Sequence, residues 1–136
     1  MNPIEESGTL QLDFSKLDKV GGKGMAVIPV AVQNADTREV IMLAYVNKEA
    51  LDLSLKTRTA TFWSTSRNKL HIKGATSGET FEVVEVRVNC EQNSLLYVVR
   101  PRRDGICHTK NRLGQPRNCF YRRLVPNTLK LVNLDP

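Results

Sequence analysis

The order of apolar and polar positions divides this chain into short strands around one helix. Met25 to Gln33 is rich in Val and Ile and predicts a strand, with Pro29 inside it pointing to an edge position or a bulge. Asn34-Ala35-Asp36-Thr37 reads as a turn, and Glu39 to Tyr45 as the returning strand. Asn47 is a good N-cap for a helix over Lys48 to Lys56, in which Leu51 and Leu55 share a face at i, i+4 spacing. Glu49 in its first turn and Lys56 in its last suit the helix dipole. Ala60 to Ser64, carrying Phe62 and Trp63, predicts another strand, and a polar loop runs from Thr65 to Glu79. In Phe81 to Val88, Val84, Val86 and Val88 face one side and Glu85 and Arg87 the other. Ser94 to Arg100 is its expected hairpin partner across the tip 89–93, and Cys119 to Val125 is the last strand candidate.

These elements predict an α+β, mostly antiparallel domain over residues 25–125, with an N-terminal extension (1–24) and a C-terminal tail (126–136). At 136 residues one domain is the economical reading, long enough to bury a core. The extension holds a short apolar patch (Leu10, Leu12, Phe14, Leu17) and the cluster Gly21-Gly22-Lys23-Gly24. That cluster lacks the spacing and the hydroxyl residue of a phosphate loop. No apolar run approaches the roughly 20 residues of a membrane span. Met-Asn-Pro-Ile-Glu-Glu has neither the basic nor the apolar region of a secretory signal, so the expected location is the cytoplasm. Thiols there stay reduced, and an odd count of three cysteines points to ligands or catalysts rather than disulfides.

A net charge of +6 implies an anionic partner, nucleic acid or phosphorylated small molecules, or else merely a solvated basic surface. Its distribution says more than its total. Arg100, Arg102, Arg103, Lys110, Arg112, Arg117, Arg122 and Arg123 lie in one stretch opposed only by Asp104, and they surround two of the three cysteines.

Cys90, Cys107 and Cys119 could supply the three protein ligands of a catalytic zinc. Their spacing matches no common structural finger, and buried cysteines acting as small hydrophobes are the competing reading. His108 beside Cys107 could ligate a metal or move protons, or be an ordinary loop histidine; for His71, in a polar loop, the ordinary reading is the better one. The stretch from Ser64 to Gly78 is dense in hydroxyls, glycines and cations. Ser64, Ser66, Arg67, Lys73, Thr76, Ser77 and Gly78 could cradle a phosphate, and the length of the loop favours binding over plain solvated surface. Asn89, Glu91 and Asn93 at the hairpin tip could present oxygens to Mg²⁺, weakly because only one is charged, or simply suit a turn.

Together these motifs resemble the phosphoribosyl-AMP cyclohydrolase family of histidine biosynthesis. The resemblance runs from about Ile28 to Arg122. It is carried by 40–51, by Phe62-Trp63-Ser64-Thr65-Ser66-Arg67, by Lys73-Gly74 with Thr76-Ser77-Gly78, by Val84 to Cys90, by Cys107-His108-Thr109 and by Cys119-Phe120-Tyr121-Arg122. It implies an intertwined homodimer whose zinc sites draw Cys90 from one chain and Cys107 and Cys119 from the other. It also implies hydrolytic opening of the adenine ring of phosphoribosyl-AMP between N1 and C6, with His108 as a proton-transfer residue. Membrane and nucleic-acid partners are not expected. The chain departs from the family pattern where Asn89, Glu91 and Asn93 stand at three aspartate positions of its magnesium site, where His71 replaces a Trp, where Ala75 replaces an acid, and in a longer loop between Cys107 and Cys119. These departures leave open a paralogue hydrolysing another phosphorylated purine or related heterocycle, or a non-catalytic nucleotide- or nucleic-acid-binding module.

Overall fold

The computed structural model of the chain describes residues 6–9, 26–103 and 109–136. The predicted apolar patch and glycine cluster of the extension, and with them Asp104, Cys107 and His108, lie outside the described residues. Strand β1 (Ile28–Asn34) turns into β2 (Val40–Val46), followed by helix α1 (Lys48–Thr57), β3 (Thr61–Ser64), β4 (Lys69–Ile72), β5 (Phe81–Val88), β6 (Leu95–Pro101), β7 (Arg122–Leu124) and β8 (Leu131–Asn133). The four long strands form one sheet in the order β2-β1-β6-β5; β3–β4 and β7–β8 are separate hairpins.

The α+β expectation holds, with a mixed rather than uniformly antiparallel main sheet. β1 pairs antiparallel with β2 and β5 with β6, but the central pair, β1 with β6, is parallel. Pro29 is accommodated because β6 begins to pair with β1 only at Val30, so the missing proline N–H falls beyond the second ladder. The β1–β2 turn is held by the Asn34 side chain, whose oxygen accepts from the N–H groups of Asp36 (2.9 Å) and Thr37 (3.1 Å).

Period-two burial builds the core: Val30 and Val32 from β1, Leu95, Tyr97 and Val99 from β6, Phe81 and Val83 from β5. Phe62 of β3 stacks on Tyr97 with ring centroids 5.8 Å apart, which places the β3–β4 hairpin and α1 over this face. The predicted one-sided row of Val84, Val86 and Val88 is corrected by a bulge between Val83 and Glu85. The extra residue turns Val84 away from the face that Val86 shares with Val83.

Helix α1 starts where its cap predicts, the Asn47 side chain accepting from the N–H of Ala50 at 2.8 Å. Its buried stripe differs from the one the leucines suggest. Ala50 and Ser54 are fully buried, whereas Leu55 is 49% exposed. Small side chains let the helix approach β3 closely. The Ser54 hydroxyl accepts from the Thr61 N–H (2.8 Å) and lies within donating distance of the Ala50 (2.9 Å) and Thr61 (3.0 Å) carbonyls.

Two elements were not expected. β4 falls inside the predicted polar loop, and β8 within the residues read as a tail. β8 pairs with β7, and its neighbours bind the rest of the chain: Leu131 N–H donates to the Gly8 carbonyl (2.6 Å) and Leu134 N–H to that of Tyr121 (2.7 Å). The last-strand expectation of Cys119 to Val125 contracts to β7, leaving Cys119 ahead of it.

Candidate active site

A cleft of about 620 Å³ lies between the β3–β4 hairpin, the following loop and Leu53 of α1. Arg67, Lys69, Lys73 and His71 bring positive or titratable groups to this region, the first two and His71 as lining residues together with Thr76 and Ser77. A second cleft of about 200 Å³, lined by residues of β2 and by Phe62, Trp63, Ser64 and Thr65, meets the first at His71. Of the predicted phosphate-cradling residues, Arg67, Thr76 and Ser77 line the larger cleft and Ser64 the smaller. Lys73 projects instead over the Phe81 ring, 5.4 Å from its centroid. Lys69, Leu70 and His71 line the cleft from strand β4, where the polar residues predict only a loop.

Backbone geometry shapes the rim. Gly74 adopts φ +76° and Gly78 φ +80°, and the Gly78 N–H donates to the Gly74 carbonyl at 2.8 Å. A Cβ on Gly74 would lie 2.1 Å from the Glu79 carbonyl oxygen, so no other residue fits without moving backbone. Beside Gly78 packs the Arg103 guanidinium, which donates to the Ser77 carbonyl at 3.1 Å. At the hairpin end, the Ser64 hydroxyl accepts from the Arg67 N–H (3.2 Å) and lies 3.3 Å from that of Ser66.

Partial burial, and after it the cations of Arg67, Lys73 and Lys69, hold the His71 imidazole below its ordinary value. At neutral pH it is therefore an uncharged ring between two clefts, able to donate or accept a hydrogen bond.

The basic stretch after Arg100 proves to be largely structural. Arg100 pairs with Asp36 (3.1 Å), and Arg102 binds Thr59, Thr80 and the Arg58 carbonyl. Arg122 donates to the Ser7 carbonyl at 2.9 Å. Arg117 is 2% exposed and forms an ion pair with Glu6 at 2.6 Å. Burial opposes its charge, but Glu6, Tyr121 and Asp135 together hold the guanidinium above its ordinary value. Nothing in the sequence distinguished this arginine from its neighbours.

Cys90 and Cys119 are both exposed. Cys90 sits on the hairpin tip after edge strand β5, whereas the Cys119 N–H donates to the Ile41 carbonyl of the opposite edge strand, β2, at 2.8 Å. With strands spaced about 4.8 Å apart, the sheet separates them by roughly 10 Å or more. Among the described residues, no three His, Cys, Asp or Glu side chains cluster as a metal site. The tip residues Asn89 and Asn93 are engaged with each other. The Asn89 oxygen accepts from the N–H groups of Asn93 (2.9 Å) and Ser94 (3.0 Å), and its amide donates to the Asn93 oxygen (2.7 Å). Asn93 in turn donates to Glu91 at 3.3 Å.

Residues 42–121 match the Phosphoribosyl-AMP cyclohydrolase family. The chain is 50% identical over 98 residues to a phosphoribosyl-AMP cyclohydrolase of Archaeoglobus fulgidus, covering 72% of this chain and 85% of that protein. The chain belongs to the phosphoribosyl-AMP cyclohydrolase family. A phosphoribosyl-AMP cyclohydrolase of Hyphomonas neptunium is 47% identical over 106 residues (78% of this chain, 76% of that protein). A histidine biosynthesis bifunctional protein of Aquifex aeolicus is 44% identical over 104 residues, 76% of this chain and 48% of that protein. The span matched to the cyclohydrolase family contains both clefts and all three cysteine positions. It ends at Tyr121, so the β7–β8 hairpin and residues 6–9 lie outside it. Among the described residues, no helix is long and apolar enough to cross a membrane.

Proposed function

We propose that this chain is a zinc-dependent phosphoribosyl-AMP cyclohydrolase of histidine biosynthesis that works as a homodimer. The observation that carries the reading is the family match across one span holding the cationic cleft and every cysteine. The substrate bears two phosphate groups, which suit Arg67 and Lys69 with the Thr76 and Ser77 hydroxyls on the cleft wall. In the reaction, water adds at C6 of the adenine ring, the N1–C6 bond breaks, C6 becomes a carboxamide carbon and N1 takes up a proton. His108, adjacent in sequence to Cys107, is the candidate to move that proton.

The donor set suits zinc: soft thiolates at Cys90, Cys107 and Cys119, of which Cys90 and Cys119 are open to solvent. Bound zinc would supply a water acidic enough to act as nucleophile near neutral pH. Because opposite sheet edges carry Cys90 and Cys119, one ion reaches both only when a second copy contributes a ligand. The sheet face away from the core also favours pairing, since it presents Ala31, Leu43 and Leu96 side by side with Leu43 53% exposed. Magnesium binding is weak in this reading, because Asn89 and Asn93 spend their oxygens on the turn and only Glu91 is charged.

Zinc-loaded protein should convert phosphoribosyl-AMP to the ring-opened product, followed by ultraviolet absorbance. No turnover, with or without Mg²⁺, overturns the assignment. About one zinc per subunit should be lost in Cys90→Ser, Cys107→Ser or Cys119→Ser. The dimer has a sharper test. Each of Cys90→Ser and Cys119→Ser is inactive alone, but mixed heterodimers rebuild one intact site, restoring about a quarter of wild-type activity if subunits exchange at random. A mixture that stays inactive after proven exchange refutes the shared site.

A further inference from the structure

The two clefts share one wall residue and differ in chemistry. The smaller is bounded by Met42, Ala44 and Tyr45 of β2 and by the aromatic Phe62 and Trp63 of β3, the larger by Arg67, Lys69, Thr76 and Ser77. His71 lines both, and in the β3–β4 ladder it stands directly opposite Phe62, so the two side chains share a face of the hairpin. At about 200 Å³ the smaller cleft falls short of the roughly 300–1,000 Å³ of ordinary small-molecule sites, whereas the pair, taken as one groove, lies within that range.

The ends of this groove are also distinct. The Cys119 N–H donates to the Ile41 carbonyl at 2.8 Å, and the next residue of β2, Met42, lines the smaller cleft. A candidate zinc ligand is thus tied through its backbone to the strand that walls the apolar end, while cations and hydroxyls gather at the other. A purine nucleotide has the same asymmetry. Its N1–C6 bond lies on the six-membered ring, and its sugar phosphate hangs from the five-membered ring on the opposite side.

We propose that the two clefts are one groove with a fixed polarity. The purine occupies the smaller cleft with its N1–C6 edge toward Cys119. The ribose phosphate of the AMP half enters the larger cleft, and His71 at the junction holds the sugar between them. The inference rests on the cyclohydrolase reading above and assigns the substrate's orientation in that site. Trp63 and Tyr45 supply aromatic faces for the ring. Arg67 and Lys69, with the Thr76 and Ser77 hydroxyls, suit a phosphate, which takes charge-assisted hydrogen bonds. An uncharged imidazole is a poor phosphate anchor. With one donor and one acceptor it matches a ribose hydroxyl, which also does both. The second phosphoribosyl arm, carried on N1, then leaves by the metal end of the groove, away from the cationic cleft.

The test titrates full-length protein with AMP as the probe. Trp63 is the only tryptophan of the sequence, so its fluorescence reports on the smaller cleft. AMP should quench it, whereas ribose 5-phosphate, which has the sugar and phosphate without the ring, should bind without quenching. By calorimetry, His71→Ala should weaken AMP binding a few-fold to about tenfold, the worth of one hydrogen bond. His71→Gln keeps a donor and an acceptor and should recover part of that loss. Lys69→Gln should weaken AMP and ribose 5-phosphate alike. AMP that binds without changing Trp63 emission overturns the polarity, as does the absence of binding at millimolar AMP. Equal AMP affinity in wild type and His71→Ala overturns the role of the histidine. Ring opening is judged separately, by turnover of phosphoribosyl-AMP in the zinc-loaded protein. Quenching by AMP with no turnover overturns the proposed reaction and leaves the groove standing as a nucleotide site.

Discussion

Gly74 and Gly114 offer a controlled comparison of what a single methyl group does to the cleft. Both have positive φ, +76° and +74°, so replacement by alanine imposes a similar left-handed backbone cost of about 1–2 kcal/mol. Their surroundings differ. Among the described residues nothing lies within 4 Å of a Cβ at Gly114, whereas at Gly74 the Glu79 carbonyl oxygen would be 2.1 Å away and its carbon 2.3 Å. Restoring even a short contact of 3.0 Å requires backbone on the cleft rim to shift by about 0.9 Å. Displacements near 1 Å in a positioning loop cost about 100-fold in rate. Gly74→Ala should therefore lower kcat/KM for phosphoribosyl-AMP by about two orders of magnitude, with an unfolding free energy reduced by more than the φ cost. Gly114→Ala should lose only about 1–2 kcal/mol of stability and keep kcat/KM. The assays are steady-state ring opening and urea denaturation. Equal kcat/KM in the two variants would refute the argument that the 74–78 turn shapes the working cleft.

Asn47→Ala removes the cap of α1 and should cost about 1 kcal/mol, seen as a fall of a few degrees in Tm. Ser54→Ala leaves the Thr61 N–H without its side-chain acceptor in a buried site, and should cost about 1–3 kcal/mol by urea denaturation. For His71, whose folded value lies below the ordinary 6.5, the unfolded chain takes up the proton first as pH falls. Its contribution is therefore fully present above pH 6.5 and declines below it until the folded value is passed. The loss of stability between pH 7.5 and pH 5 should be smaller in His71→Gln than in wild type, and an identical decline would contradict the assignment. An NMR titration of the imidazole should also move toward 6.5 when Arg67, the largest of its charged influences, is replaced by alanine.

How far the residues disclosed the fold varied with the physics at each point. Asn34 and Asn47 act through hydrogen bonds to N–H groups two or three residues away, so the turn and the helix start could be read locally. The stripe on α1 could not, because close approach to β3 selected Ala50 and Ser54 over the larger Leu55. Strand β4 escaped notice because Lys69, His71 and Ile72 are all exposed and only Leu70 turns inward, giving no apolar run. The bulge at Val84 was hidden by alternation that continues unbroken in the letters while its register slips in space. Of the cationic loop, the residues at Arg67, Thr76 and Ser77 that its composition singles out do line one cleft. Among the arginines beyond Arg100 the charge was visible but its use was not: an ion pair with Glu6, 111 positions away, depends on the completed fold.

The parallel seam between β1 and β6 also bears on how this sheet is assembled. The pairs β1–β2 and β5–β6 are each closed by a short connection and can form as local hairpins, within microseconds in isolated systems. The seam instead joins Val30 to Leu95, across α1 and the β3–β4 hairpin. Its ordering carries the main loop-closure entropy of the main sheet. The barrier to folding should therefore lie at the docking of two preformed hairpins, and truncations at Val30 or Tyr97 should slow folding more than equal truncations at Val46 or Phe81. A nascent chain would hold its first hairpin unpartnered along one edge until about fifty further residues had emerged, which makes Pro29, at the open end of that edge, a guard against premature strand addition.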